Sequence, residues 1–188
     1  YGELATCVQK ISSLFKDRED KIIGIVAENR LETYASILSA LICGKAYVIL
    51  HPSYPKHRND RIAGLAGIRL VLHTKNIHVL NLDTRNLELI CTSEIEQAEN
   101  STTFHAAEDI LHTAEEENAY IIFTSGSTGE PKGVPISRRN LNAFYTAYHR
   151  LGWQLDENDR MLQMFELTFD VSIVSFLYPL TLGACIYT

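Results

Sequence analysis

Ten consecutive residues, Thr124-Ser125-Gly126-Ser127-Thr128-Gly129-Glu130-Pro131-Lys132-Gly133, hold three glycines, four hydroxyl side chains and one lysine. Glycine lets a backbone turn with positive φ and brings its N–H groups close to a ligand. Hydroxyls add small rotatable donors, and Lys132 adds a mobile point charge with three more. The set suits a triphosphate, which is rich in oxygens, highly negative and indifferent to planarity. No Lys or Arg occurs between Arg85 and Lys132, so the first cation after a long acidic approach falls inside the glycine loop. A solvated Gly/Ser turn is the competing reading, and the length of the string favours phosphate. The nucleoside-triphosphatase P-loop does not fit. It needs Gly-Lys-Ser/Thr five residues after a first Gly; Pro131 stands there relative to Gly126, and Gly133 follows Lys132. A second stretch, Phe169-Asp170-Val171-Ser172, sets a carboxylate where a helical pattern begins. On residue chemistry alone Asp170 is a helix-start carboxylate near free N–H groups.

The elements that must position these residues follow from periodicity. Tyr120-Ile121-Ile122-Phe123 is a short β-branched and aromatic run, read as a buried strand entering the loop. Val134-Pro135-Ile136 reads as a short strand leaving it. Ser137 then caps a helix with the stripe Leu141, Phe144, Tyr145, Tyr148 and Leu151, closed by Gly152. Arg138 and Arg139 fall in its first turn, where their charge opposes the helix dipole; solvated side chains are expected. Met161 to Phe165 is strand-like, and a helix runs from Asp170 through Val174, Leu177 and Leu180.

Upstream, Leu4, Cys7, Val8, Ile11 and Leu14 give a helical face. Lys21 to Ala27 gives a strand, Leu31 to Leu41 a helix stopped at Gly44, and Ala46 to Leu50 a second buried strand. Pro55 can open a helix carrying Arg58, Arg61, Ile62 and Leu65, which ends near Gly64 or Gly67; Arg69 to His73 is a third strand. Strands alternating with helices imply right-handed βαβ units and a largely parallel sheet, an α/β fold with layers on both faces. Short strands are possible at Ile77–Leu80 and Leu87–Ile90. Ser93 to Asn118 is polar and acidic, without the spacing of a catalytic pair or a calcium loop, and reads as a solvated connection.

With 188 residues, 46% of them hydrophobic, the chain can form one compact domain. A net charge of −6 argues against a general nucleic-acid binder. No apolar stretch approaches a membrane span. Cys7, Cys43, Cys91 and Cys185 lack metal-site spacing and are expected as reduced, mostly buried thiols in a cytoplasmic protein. His105 and His112 read as solvated rather than as metal ligands.

TSGSTGEPKGV resembles the signature phosphate loop of the adenylate-forming enzymes, which include acyl-CoA synthetases, luciferases and the adenylation domains of nonribosomal peptide synthetases. YGEL, LICGKAYVILHPSYPKHRNDRI and RMLQMFELTFDVS match further stretches of the family in order. Lys45, Ile49, His51, Met164 and Glu166 depart from its common residues, and the family often has His at the place of Arg139. The resemblance implies that Thr124, Ser125, Gly126, Ser127, Thr128, Gly129 and Lys132 hold the β- and γ-phosphates of ATP. It also implies that Asp170 binds a substrate α-ammonium, and that Val171 and Val174 line the side-chain pocket. A desolvated ammonium needs a carboxylate partner, in agreement with that role.

The implied reaction joins an amino acid to AMP, releases pyrophosphate and passes the acyl group to a phosphopantetheine thiol on a carrier protein. Mg²⁺ would assist, with its usual carboxylate ligand outside this chain. The implied organisation is that 1–188 is part of the large N-terminal domain, inactive alone. A D-alanine–carrier-protein ligase, an acyl-CoA synthetase of the same superfamily, and a non-catalytic truncation that binds nucleotide or a protein partner are the alternatives.

Overall fold

Strands β1 (Ile22–Val26) and β2 (Ala46–Leu50) are apolar at nearly every position because both faces of the sheet they build are covered. Residues 1–74, 81–95, 114–125 and 129–188 are described in the computed structural model. Ile23, Ile25, Tyr47 and Ile49 point to one core, and Val26, Val48 and Leu50 to the other. The first core takes helices α1 (Gly2–Ser13) and α2 (Leu31–Ile42), through Val8, Ile11, Phe15 and Ile37. The second takes α3 (Lys56–Ala66), through Ile62 and Ala63. Fully burying an aliphatic side chain of this size stabilises by roughly 1.5–3 kcal/mol, so the two cores set the stability of the unit.

The sheet continues with β3 (Leu70–His73), β4 (Glu88–Cys91), β5 (Asn118–Ser125) and β6 (Pro131–Ser137). Among the described residues its order is β4-β3-β1-β2-β5-β6. Every neighbouring pair is parallel except the last, β5 with β6. Helix α4 (Arg138–His149) follows β6 directly. Then come β7 (Arg160–Leu162), α5 (Val171–Thr181) and β8 (Cys185–Tyr187), with β7 and β8 forming a parallel two-stranded sheet. Ile173, Phe176 and Leu177 of α5 pack into the first core.

The α/β expectation and the helix and strand positions upstream of His73 agree with this fold. Several details differ. The strand after the loop is longer than Val134–Ile136 and runs antiparallel, because a short loop can only return the chain beside its own strand. The strand expected over Met161–Phe165 ends at Leu162, where Gln163 turns its amide to the Phe165 carbonyl at 2.9 Å. Arg138 is not solvated: it is half-buried and donates from Nη2 to the Leu41 carbonyl at 2.8 Å. Arg139 pairs with Glu115 at 3.4 Å and with Glu116, so the acidic approach neutralises one of the two cations that oppose the helix dipole. None of the four thiols is fully buried, and Cys185 is exposed. The possible strand Ile77–Leu80, His105 and His112 lie outside the described residues, as does most of the acidic connection.

Candidate functional site

The loop that carries the chemistry is the connection of a β-hairpin. Its pairing runs Tyr120↔Ile136, Ile121↔Pro135, Ile122↔Val134, Phe123↔Gly133, Thr124↔Lys132 and Ser125↔Pro131. Directly opposed antiparallel residues share a face, and successive residues alternate. Lys132 therefore stands beside Thr124, on the same face as Ile122 and Tyr120. Phe123, Gly133 and Ile121 occupy the other face. A Cβ on Gly133 would sit 3.0 Å from Phe123 Cζ and 3.2 Å from Ile121 Cγ2, so only glycine lets β6 lie this close to β5. Gly129 adopts φ 82°, the left-handed turn that brings the chain back.

Thr124, Ser125, Gly129 and Lys132 are all exposed. The Lys132 side chain makes no ion pair or hydrogen bond among the described residues, so its ammonium is available to an anion. Gly126, Ser127 and Thr128 lie outside the described residues. Glu130 pairs with Arg61 of α3 at 3.0 Å, tying the hairpin to that helix. The far end is held by Ser137, whose Oγ accepts from the Asn140 N–H at 3.2 Å while Asn140 Oδ1 accepts from the Ser137 N–H at 3.1 Å. This reciprocal capping box starts α4 where the sequence places it.

Asp170 precedes α5 in a helical backbone conformation, with no side-chain bond to the helix N–H groups. The helix-start role suggested by residue chemistry alone is not realised, and the carboxylate stays exposed. Its charge nonetheless reaches into the molecule. The Tyr120 phenol is pushed up to about 12, first by burial and then by the Asp170 carboxylate. The helix that Asp170 precedes packs through Ile173, Phe176 and Leu177 into the core that holds Tyr120, on the side that carries Thr124 and Lys132. Val171 is exposed and Val174 half-buried one helical turn further on. The structure brings Thr124 and Lys132 together on one face of the hairpin, and by the same alternation Ser125 falls on the Phe123 face; α5, which Asp170 precedes, packs on the Thr124 side.

Sequence reasoning missed the tyrosines between the two stretches. Tyr47 and Tyr120 are register partners with ring centroids 5.5 Å apart. Tyr145 of α4 stacks on Tyr178 of α5 at 5.9 Å. Burial raises the Tyr47 and Tyr145 phenols as well, with further contributions from neighbouring tyrosines. Tyr145 appeared in the helical stripe and Tyr120 in the strand; only their convergence was hidden.

An open groove of about 630 Å³ runs between α3 and the hairpin, lined by Leu65, Ala66, Ile121, Phe123, Pro135 and Lys132. Its apolar wall belongs to the face turned away from Tyr120, and Lys132 is the candidate phosphate residue that also borders it. Among the described residues no group of three or more His, Cys, Asp or Glu could hold a metal ion.

A family model described as AMP-binding enzyme matches residues 1–188. The chain belongs to this family. The curated relatives it matches are nonribosomal peptide synthetases. Tyrocidine synthase 3 of Brevibacillus parabrevis is 29% identical over 189 residues, 99% of this chain and 3% of that protein. Gramicidin S synthase 1 of Brevibacillus brevis is 27% identical over 193 residues, 100% of this chain and 17% of that protein. The chain therefore spans less than a fifth of the length of either relative. Among solved structures, the nonribosomal peptide synthetase FmoA3 in its α-methyl-L-serine-AMP-bound form superposes with a TM-score of 0.82 at 26% identity, over 98% of this chain and 20% of that one. Its AMPPNP-bound form gives 0.78 at 25% identity, over 99% and 19%.

Proposed function

We propose that this chain supplies the phosphate-binding and ammonium-binding residues of an AMP-forming, amino-acid-activating ligase. The observation that carries the reading is the hairpin register, which sets Lys132 opposite Thr124 on the sheet face of Tyr120, whose phenol feels Asp170. Four steps along the strand lead from Tyr120 to Thr124, roughly 13 Å at the usual rise. A ligand with an ammonium at one end and a polyphosphate at the other can follow that line.

In the proposed reaction a carboxylate oxygen of the amino acid attacks the α-phosphorus of ATP. The bond to pyrophosphate breaks, and negative charge grows on the leaving group. Lys132 and the hydroxyls of Thr124, Ser125, Ser127 and Thr128 stabilise that charge, and the N–H groups of Gly126 and Gly129 approach it. Asp170 holds the α-ammonium, and Val171 and Val174 border the side chain, which favours a small or apolar amino acid. The acyl group then passes to the phosphopantetheine thiol of a carrier protein, releasing AMP. AMP- and AMPPNP-bound forms among the structural relatives support the use of ATP. Mg²⁺ would neutralise phosphate charge in this reaction, with its carboxylate ligand outside residues 1–188; among the described residues no group of three or more His, Cys, Asp or Glu could hold a metal ion. The front part of the large N-terminal domain is the proposed place of residues 1–188.

The test is ATP–pyrophosphate exchange by the full protein across L- and D-amino acids, fatty acids and aryl acids. Exchange with one or a few amino acids is expected; D-alanine alone would point to a dedicated D-alanine ligase. Exchange only with acids lacking an amino group would remove the role of Asp170. No exchange from folded, ATP-binding protein would refute catalysis.

A further inference from the structure

The β5–β6 hairpin is joined to the rest of its sheet by little directional bonding. β1 and β2 pair over five residues each, Ile22 to Val26 against Ala46 to Leu50. Among the described residues β2 and β5 meet at one register pair, Tyr47↔Tyr120. Beyond it, Ile122 and Ile136 pack against the first core, and apolar packing is non-directional. At the loop end the tie is the Arg61–Glu130 pair, whose side chains are 57% and 65% exposed, and exposed pairs hold geometry weakly. The angle at which the hairpin leaves the sheet is therefore set at its base.

The base is closely bonded. The Arg138 N–H donates to the Glu117 carbonyl and the Arg139 N–H to the Glu115 carbonyl, both at 2.9 Å, which joins the start of α4 to the residues that lead into β5. The Arg138 side chain ties this base to a third element. Its Nη2 donates at 2.8 Å to the carbonyl of Leu41, in the last turn of α2, where carbonyls lack helical partners and the dipole is negative. The placement is costly. The charge opposes the dipole of its own helix. Burial pulls the guanidinium below its usual range, with Glu117 working the other way. Nε is buried without a partner. Natural proteins break such local rules chiefly at functional sites.

We propose that Arg138 is a positioning residue for phosphate binding: by fastening the base of the hairpin to the end of α2, it sets where Lys132 stands. The inference rests on the reading of this hairpin as the phosphate site. Lys132 lies five residues before Ser137, the last of β6, roughly 17 Å at the usual rise. Over that lever a tilt of about 3° at the base displaces the lysine by about 1 Å, a misplacement that can cost about 100-fold in rate. Asp170, Val171 and Val174 belong to α5 and its start rather than to the hairpin, so amino-acid binding does not feel the tilt.

The test is a double-mutant cycle in the full protein, read by ATP–pyrophosphate exchange with KM for ATP and for the amino acid measured separately. Arg138→Met keeps an apolar stem and removes the tie. It is expected to lower kcat/KM for ATP about tenfold or more, to leave KM for the amino acid within about twofold, and to have less than about a twofold effect in a Lys132→Ala background. Arg139→Met, which removes the same charge one residue on, is the control and is expected to change kcat/KM for ATP by less than about twofold. Arg138→Lys keeps a donor and is expected to lose less than Arg138→Met. If Arg138→Met does not fold, Arg138→Lys takes its place in the cycle, with a loss of about threefold expected where Lys132 is present and none where it is absent. Equal losses in both backgrounds, equal rises in both KM values, a loss matched by Arg139→Met, or no loss would overturn the proposal. Lys132→Ala without effect on exchange would refute the phosphate reading and the proposal with it; a full effect of Lys132→Ala, beside an Arg138 effect that persists in its absence, refutes the role of Arg138 alone.

Discussion

Strands β2 and β6 belong to one sheet and meet opposite demands. All five residues of β2 are buried, in a parallel centre covered on both faces. No residue of β6 is fully buried; it is the antiparallel edge, with Lys132, Val134 and Pro135 exposed. A strand buried on both faces has room only for apolar side chains and cannot present a charge to a ligand. The edge can, and the sheet changes from parallel to antiparallel where the chemistry begins. Stability and reactivity are thus held by different strands of one scaffold, with β5 as the strand between them.

The largest expected effect breaks that division if it is wrong. Leu50→Ala in β2 should cost about 2–5 kcal/mol in urea unfolding, as buried Leu truncations do. Val134→Ala in β6 should cost under about 1 kcal/mol. Equal costs would mean that the hairpin is as much core as the centre.

The next effect concerns β5, where the two regions meet. The Tyr120 phenol ionises near 12 in the folded chain, against about 10 for an ordinary tyrosine. Above pH 10 the unfolded chain loses that proton first and binds fewer protons than the folded one, so stability falls as pH rises from 10 to 12. The contribution is present in full below pH 10. Tyr120→Phe should make that part of the profile less steep, the remainder coming from Tyr47 and Tyr145, whose phenols burial also raises. Asp170→Asn should lower the Tyr120 pKa without abolishing the shift, since burial is its larger cause; phenolate absorbance reads both. An unchanged titration in Asp170→Asn would separate the two stretches in space.

Smaller still, Ser137→Ala should cost about 1 kcal/mol through the lost helix cap, read as a lower urea midpoint. Arg61→Ala removes an exposed ion pair with Glu130 and should cost less than about 1 kcal/mol. A larger loss there would show that the hairpin depends on α3 for its position.

The alternation of helices and strands was legible because Ile23, Ile25, Val48 and Leu50 are apolar at successive positions bounded by turns. The capped start of α4 was legible in Ser137, since a cap is a local bond. Asp170 was visible as a helix-start residue, but whether its carboxylate would bond the helix depends on backbone angles that spacing does not show. The antiparallel turn of β6 was missed because Pro135 and Gly133 weaken a strand pattern and the pairing partner decides it. Arg138 reads as surface charge, yet the Leu41 carbonyl that receives it is 97 residues away in sequence. The tyrosine cluster shares that cause: it is assembled from elements far apart in the chain.

The most direct test of the central claim is amino-acid-dependent ATP–pyrophosphate exchange by the full protein carrying Lys132→Ala, with its urea midpoint measured alongside. Lys132 is exposed and unpaired among the described residues, so stability should not change. Exchange should fall by about 100-fold or more, the scale of losing one charge-stabilising donor. Exchange at the unaltered rate, from a protein of unaltered stability, would contradict the assignment of this hairpin to phosphate.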